Sequence, residues 1–135
     1  MEKKESYATQ EEYNQRVTHY RDVPLIELGP GSKSHIISAE MITLSFVIAE
    51  PGIYFASHRH EPEQFMVVLD GACDTILERK LYHLEAGDVL HVPSNFEHGN
   101  YISDRGLRMI EVFSPPRQDL VAKLKAVNKS FKTSV

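Results

Sequence analysis

Short apolar runs dominate the middle of the chain, between Pro24 and Pro116. In these runs Ile, Val, Leu, Phe and Tyr alternate with polar residues, which is the period of a half-buried strand. Examples of these runs are Leu25–Leu28, Met41–Ala49, Ile53–Ala56, Phe65–Leu69, Cys73–Glu78, Val89–Val92 and Leu107–Phe113. Turn signals such as Asp70-Gly71 and Ser103–Gly106 separate them. About eight or nine short strands without helices between them predict an all-β sandwich or small barrel.

The N-terminal end has helical spacing instead. Thr9 and Glu12 fit a capping box. Apolar side chains then recur at the period of a helix, at Tyr13, Val17 and Tyr20. This pattern predicts a helical segment at about 9–20 that packs on the barrel.

The C-terminal end is also predicted to be helical. Pro115 and Pro116 stop the last strand, and proline is favourable in a first helical turn. Helical spacing follows at Leu120, Leu124 and Val127. We therefore expect one domain over residues 1–135, with a barrel at about 24–116 and a C-terminal helix at about 117–130.

The composition argues against several classes of protein. The chain has 135 residues, of which 41% are hydrophobic and 25% charged, as in an ordinary globular domain. The net charge of −4 argues against a nucleic-acid partner. No apolar run is long enough to span a membrane, and Met1 to Ser6 lack the apolar core of a secretory signal. The single cysteine, Cys73, excludes an internal disulfide, and we expect a buried thiol in a reducing cytoplasm.

Three of the seven histidines stand in an informative pattern. His58 and His60 are two residues apart after a predicted strand, so both side chains point to one face of an extended chain. Gln64 has the same parity, whereas Glu63 points to the other face unless a small bulge exchanges them. His98 follows a turn further along the chain. The first two imidazoles can therefore meet one ion.

The full spacing places these residues in a frame of glycines and a proline. It runs through Gly52, His58, His60, Gln64, Gly71, Gly87, Pro93 and His98. This frame closely resembles the two motifs of the cupin superfamily, the small metal-binding jelly-roll barrels. The resemblance implies a cupin jelly-roll β-barrel. It also implies one divalent transition metal held by His58, His60, Gln64 and His98, with Gln64 where most cupins have Glu.

The glutamine has a chemical consequence. Three neutral imidazoles and an amide leave the +2 charge of a divalent ion uncompensated, so the site should bind metal less tightly. The bound ion should also be a stronger Lewis acid and attract anions better. Imidazole-rich sites suit Ni, Fe, Zn, Cu, Mn or Co, and the sequence does not distinguish among them. An octahedral ion would keep two positions for a bidentate substrate.

A second segment carries an acid, an aromatic ring and an arginine. Glu111 and Phe113 share one face of the last predicted strand, and Arg117 follows two prolines and can fold back over the barrel mouth. Together they suit an anionic sugar, with Glu111 moving a proton, Phe113 forming a wall and Arg117 binding a carboxylate. The alternative is structural: Glu111 pairs with Arg117 or Arg108 at the surface, and Phe113 lies in the core.

The same segment resembles one group within the cupins, the small proteins of pectin and alginate breakdown that linearise 4,5-unsaturated monouronates. The shared sequence is Val-Phe-Ser-Pro-Pro-Arg at 112–117. Carried over to this chain, the site residues are Glu111, where that group has Asp, together with Phe113 and Arg117. Three residues separate His60 from Gln64, where that group often has four.

Three functions stay open from the sequence. The first is a metal-dependent isomerase or lyase-like enzyme acting on a small anionic substrate such as a 4,5-unsaturated uronate, which it opens to a ketouronate. The second is a cupin dioxygenase using Fe(II), which would consume oxygen. The third is a cupin that binds a small ligand without turnover. We also expect a homodimer, since the N-terminal segment can cover a sheet edge of a second copy.

Overall fold

The computed structural model describes residues 1–133, with side chains as far as Asn128. Eight strands lie between two helices in this part of the chain. They are β1 (Leu25–Gly29), β2 (Ser32–Ser38), β3 (Thr43–Ala49), β4 (Tyr54–His58), β5 (Glu63–Leu77), β6 (Lys80–Glu85), β7 (Val89–Val92) and β8 (His98–Ser114). The helices are α1 (Gln10–Arg16) and α2 (Gln118–Thr133). The predicted all-β jelly roll with short terminal helices is confirmed.

Two long strands bend between two sheets and so hold the barrel together. The last part of β8 lies between β3 and the first part of β5, and β7 pairs with the other side of β5. The first part of β8 lies between β4 and the last part of β5, which pairs with β6. All of these pairs are antiparallel. Most of the candidate site residues lie on β4, β5 and β8, whereas His60 and Arg117 follow the ends of β4 and β8, so these bends bring them together.

The predicted turns at Asp70-Gly71 and Ser103–Gly106 are wrong, because β5 and β8 continue through both segments. The register between the strands shifts around Asp70 and Gly71 instead, which marks a bulge. Gly71 has φ +81°, and a Cβ built there would lie 2.0 Å from the carbonyl oxygen of Gly106. Turn-forming residues here bend a strand without ending it.

Two strands were missed because their sequences lack a clear apolar alternation. In β2 the inward positions include Ser32 and Ser34, both buried, and the hydroxyl of Ser34 lies 2.6 Å from that of Ser45. In β6 most side chains are exposed and only Leu84 is buried. Small polar residues paired with each other thus occupy positions where the sequence rule expects apolar ones.

The core consists of two apolar clusters. The larger fills the space between the sheets and contains Val47, Ala49, Met66, Val68, Cys73, Leu84, Ile102, Leu107 and Met109. The smaller lies under α2 and contains Ile26, Ile36, Phe113 and Leu120. Leu124 and Val127 pack against the smaller cluster, so α2 is held over β1 and β2 at one end of the barrel.

The N-terminal helix differs from its prediction in length and in packing. The capping box of Thr9 and Glu12 is present, but α1 ends at Arg16, and Val17 is already extended. Tyr20 belongs to a separate 3-10 turn and stacks on Phe46, with ring centroids 4.4 Å apart. None of the α1 residues is buried, so α1 does not pack on the barrel as expected. Among the described residues, neither helix combines the length and the apolar character needed to cross a membrane.

Candidate metal centre and active-site cavity

Three histidines from distant parts of the chain meet at one end of the barrel. His58 ends β4 and His98 begins β8, where the two residues pair directly across the strands. His60 lies two residues beyond the end of β4. One ligand nitrogen from each ring lies within 4.8 Å of the others. This separation allows the three imidazoles to hold one metal ion.

The backbone fixes the protonation of these rings. In each ring Nδ1 faces a carbonyl oxygen two residues away in sequence: His58 faces Ala56 at 3.3 Å, His60 faces Pro62 at 2.9 Å, and His98 faces Phe96 at 2.8 Å. A carbonyl oxygen only accepts hydrogen bonds, so each Nδ1 donates. In the neutral rings the proton is therefore absent from Nε2, which leaves that lone pair free for a metal.

Burial keeps two of the imidazoles neutral. It lowers the pKa of His60, and the positive charge of Arg117 acts in the same direction. Burial also lowers the pKa of His98 to about 4. At neutral pH these rings are unprotonated, which is the state that binds metal.

Gln64 completes a set of four converging acceptors. Its side chain is 1% exposed, and its Oε1 lies 3.1 Å from Nε2 of His60. Its amide nitrogen donates to Oε2 of Glu111. Since Nε2 of neutral His60 and Oε1 of Gln64 are both acceptors, their close approach calls for a cation between or beside them. As ligands, the three imidazole nitrogens and the Gln64 amide oxygen therefore fit a divalent transition metal ion.

Glu63, the alternative to Gln64, points away from this cluster. Its side chain is 57% exposed, and its Oε2 lies 2.5 Å from Nε2 of His91. No bulge exchanges the facing of Glu63 and Gln64, because Gln64 keeps its regular register with Val92. His91 lies on the outer face with Glu63.

Glu111 lies next to the histidine and glutamine cluster. It pairs across the strands with Met66, which is two residues beyond Gln64 on the same face of β5. Burial raises the pKa of Glu111 to about 7, although the charge of Arg117 and the hydrogen bond from Gln64 oppose this shift. A carboxyl group with such a pKa can both take and give a proton near neutrality.

Arg117 and Phe113 are neighbours, but Arg117 lines the cavity described below and Phe113 does not. The Arg117 guanidinium lies 4.9 Å from the centre of the Phe113 ring and is 16% exposed. The Phe113 ring also meets the ring of His60 edge-on, with centroids 5.5 Å apart. Phe113 is fully buried in the smaller core cluster, so it supports both residues from behind. It does not form the exposed wall that the sequence suggested.

A cavity of about 250 Å³ opens beside the cluster. His58, Gln64, His98, Glu111 and Arg117 line it, together with apolar side chains that include Phe55, Met66 and Met109. Its rim also carries two residues of α2 that the sequence analysis missed, Asp119 and Lys123. The two are four residues apart, on one face of a helix that returns over the barrel.

Three further polar or titratable residues lie outside the site. Arg59 points outward and pairs with Glu97 at 3.1 Å. His83 is on the surface between Asp74 and Glu85. Cys73 is buried at 1% exposure, as expected, and burial raises the pKa of its thiol.

A match to a protein-family model shows to which family this chain belongs. The cupin domain model matches residues 45–113, about half of the chain, and this range includes the three histidines, Gln64 and Glu111. The chain belongs to the cupin family. The resemblance of its motif spacing to that of cupins is thereby confirmed.

Two curated proteins are similar to this cupin. The pectin degradation protein KdgF of Dickeya dadantii is 28% identical over 102 residues, which cover 74% of this chain and 93% of KdgF. The dimethylsulfoniopropionate lyase DddW of Ruegeria pomeroyi is 31% identical over 64 residues, which cover 47% of this chain. This cupin spans only 42% of the length of DddW.

Solved structures give the same picture. The structure of KdgF from Halomonas sp. matches this cupin with a TM-score of 0.69 and 25% identity, over 74% of this chain and 93% of that protein. An RmlC-like cupin from Shewanella frigidimarina matches with a TM-score of 0.73 and 23% identity, over 78% of this chain and 95% of the other. The second match shows the fold alone.

Proposed function

We propose that this cupin is a metal-dependent enzyme that opens the ring of a 4,5-unsaturated uronate to a ketouronate. The observation that supports this most is the shared cavity: three of the four converging metal-ligand acceptors (His58, Gln64 and His98), a carboxyl group with a pKa of about 7 and an arginine line it. The similarity to KdgF, a pectin degradation protein, covers 93% of that protein and points to the same substrate class.

The reaction balances without a co-reactant. The hydroxyl on C1 loses a proton, the bond between C1 and the ring oxygen breaks, and a proton is added at C4 of the enol. The product is an isomer of the substrate, with an aldehyde at C1 and a ketone at C5. The site therefore needs to move protons and stabilise negative charge on oxygen, and it needs no oxidant.

Each residue of the cavity has a proposed role. His58, His60, Gln64 and His98 would hold one divalent ion of the group Ni, Fe, Zn, Mn and Co, and the bound ion would supply Lewis acidity to a substrate oxygen. Glu111 moves the proton, and its hydrogen bond from Gln64 fixes where its carboxyl group points. Arg117 binds the substrate carboxylate. Phe113 positions Arg117 and His60 through the contacts behind them.

The test uses 4,5-unsaturated galacturonate and guluronate under anaerobic conditions, following the loss of enol-ether absorbance. We expect turnover by the wild type with several divalent ions. Glu111→Gln keeps the shape of the side chain but cannot exchange the proton, so turnover should fall roughly 100- to 10,000-fold. The matched control is Glu63→Gln, because Glu63 lies on the outer face.

Three outcomes would contradict the proposal. Full activity of Glu111→Gln would remove its role in proton transfer. A requirement for oxygen and Fe(II) would favour the dioxygenase. Binding of the uronate without any product would favour a ligand-binding cupin.

Metal content provides a separate test of the ligand set. We expect Gln64→Ala to lower the metal retained by the purified protein, because it removes one of four donors, while Glu63→Ala retains it. Elemental analysis of both variants beside the wild type measures this. Loss of metal only in Glu63→Ala would overturn the assignment of Gln64.

Similarity to DddW supports a second candidate, a lyase acting on dimethylsulfoniopropionate or a related carboxylate. The same Glu111 and Arg117 would take a proton and bind the carboxylate. The substrate also carries a sulfonium cation, which the positive charges of Arg117 and Lys123 do not favour. Incubation with dimethylsulfoniopropionate and detection of dimethyl sulfide separates the two candidates.

A further inference from the structure

Arg117 is already bound by a carboxylate of its own chain. Its Nε donates to Oδ1 of Asp119 at 3.0 Å, and its Nη2 donates to Oδ2 at 2.5 Å. This two-pronged arrangement is the one that guanidinium forms with a carboxylate ligand. The hydrogen bonds from Arg117 also lower the pKa of Asp119, so its carboxylate stays charged at neutral pH. Asp119 therefore occupies the donors that the proposed substrate carboxylate would need.

The two partners differ in how firmly they are held. Arg117 is 16% exposed and lies against Phe113, and its backbone nitrogen donates to Thr43 at 3.2 Å. Asp119 is 60% exposed. The exposed Asp119 carboxylate can be hydrated instead at little cost in free energy, whereas the packed Arg117 guanidinium has fewer alternative positions. Of the pair, Asp119 is the one that can leave.

A second cation stands at the same rim. Lys123 lines the cavity one helical turn beyond Asp119, on the same face of α2. If Asp119 turned away, Arg117 and Lys123 would leave two positive charges at the cavity mouth. Lys125 is also on α2 but does not line this cavity.

We infer that Asp119 is an internal competitor for the anion site, and that Arg117 and Lys123 together bind a ligand carboxylate that replaces it. The inference rests on the proposed function for the identity of the ligand, a hexuronate. Residues of α2 would then determine ligand specificity, because a ligand binds only when its carboxylate and its other contacts displace Asp119 from Arg117. A small neutral sugar has no carboxylate that could replace Asp119.

The experiment measures binding of galacturonate, a saturated hexuronate that the proposed reaction does not consume, by calorimetry with the protein as purified. Asp119→Asn removes the competing charge with little change of shape, so we expect galacturonate to bind roughly three- to tenfold more tightly. Lys123→Gln should weaken binding roughly two- to fivefold. Lys125→Gln makes the same charge change away from the cavity and should bind like the wild type.

Opposite results would overturn the inference. If Asp119→Asn weakens binding as strongly as Arg117→Gln, Asp119 is a positioning residue that orients Arg117. If Lys123→Gln and Lys125→Gln behave alike, Lys123 contributes no local contact. Failure of both the wild type and Asp119→Asn to bind galacturonate also contradicts it. Thermal unfolding of each variant shows whether it is folded.

The result separates this inference from the proposed reaction. Turnover of the unsaturated uronate with no effect of Asp119→Asn on galacturonate binding would keep the reaction and remove the inference. The expected order of affinities without any turnover would keep the anion site and remove the reaction. Added salt should weaken galacturonate binding, because partly exposed charges are screened.

Discussion

At the scale of single residues, neighbouring groups decide what each histidine does. His58, His60 and His98 donate through Nδ1 to the backbone, which leaves Nε2 free toward a common centre. His83, in contrast, lies between the carboxylates of Asp74 and Glu85 on the surface. The side chain is the same, but carbonyl oxygens fix which ring nitrogen carries the proton, whereas carboxylates favour the charged imidazolium.

His83 gives a prediction about pH. Hydrogen bonds to Asp74, and then to Glu85, raise its pKa in the folded protein. Its charged form therefore stabilises the fold below the unfolded pKa of about 6.5, and this contribution is lost as the pH rises through the folded pKa. NMR titration of His83 should show a pKa above that measured in urea. Asp74→Asn should bring the two values closer, and unchanged values would contradict the assigned cause.

At the scale of elements, the two bent strands hold the site together. The bulge around Gly71 lets β5 continue from the sheet that carries Gln64 into the sheet that pairs with the start of β8, near His98. Without that bend, β5 would reach only one of the two sheets. The bend depends on the close approach of two backbones, which only glycine permits at position 71.

A pair of glycine variants tests this dependence. In Gly71→Ala the new Cβ would lie 2.0 Å from the carbonyl oxygen of Gly106, so the backbone must move. We expect a loss of about 3 kcal/mol or more in the free energy of unfolding. Gly52 is the matched control: its φ of +75° is similar, but a Cβ there meets nothing within 4 Å. Gly52→Ala should cost only about 1–2 kcal/mol.

Denaturant unfolding of both variants beside the wild type measures these losses. Equal losses for Gly71→Ala and Gly52→Ala would mean that only the positive φ matters. The close contact between β5 and β8 would then carry no extra energy.

At the scale of the whole molecule, one end of the barrel collects nearly all of the chemistry. The candidate metal ligands lie at or next to strand ends, β8 carries Glu111, and α2 covers the same end with Asp119 and Lys123. The larger apolar core cluster lines the same cavity through Met66 and Met109. Because the cavity joins strands, helix and core, binding at this end of the barrel should act on the stability of the whole fold.

Metal removal tests this link. A ligand that binds only the folded protein stabilises it by about 2.7 kcal/mol when present at about 100 times its dissociation constant. Chelation should therefore lower the melting temperature by roughly 5–10 °C, and adding back a divalent ion should restore it. His58→Ala should lose this response, while His91→Ala on the outer face should keep it. A melting temperature that does not depend on metal in the wild type would contradict the four-ligand centre.

The sequence predicted most of the candidate site residues, but it did not predict which residues of α2 lie beside them in the folded protein. His58, His60 and Gln64 meet as their alternation predicted, although β4 ends at His58 and the chain bends at 61–62 before β5 begins at Glu63. For Phe113 the sequence left two positions open, a wall of the site and the core, because alternation along β8 gives a face but not a depth. In the structure the smaller core cluster surrounds its ring. Asp119 and Lys123 were missed because the direction in which α2 returns over the barrel depends on packing of Leu120, Leu124 and Val127.

The sequence by itself determined the all-β class, the motif spacing and two imidazoles, His58 and His60, available to one ion, because these depend on residue types and on short-range periodicity. The third imidazole, His98, followed only from the resemblance to cupins. The tertiary structure alone decided that Gln64 donates to Glu111, that Arg117 is bound by Asp119, and that Lys123 lies at the cavity rim. Those contacts join residues whose side chains meet only after two sheets and a helix have packed. Their positions follow from the bend at Gly71 and the docking of α2, which no local pattern encodes.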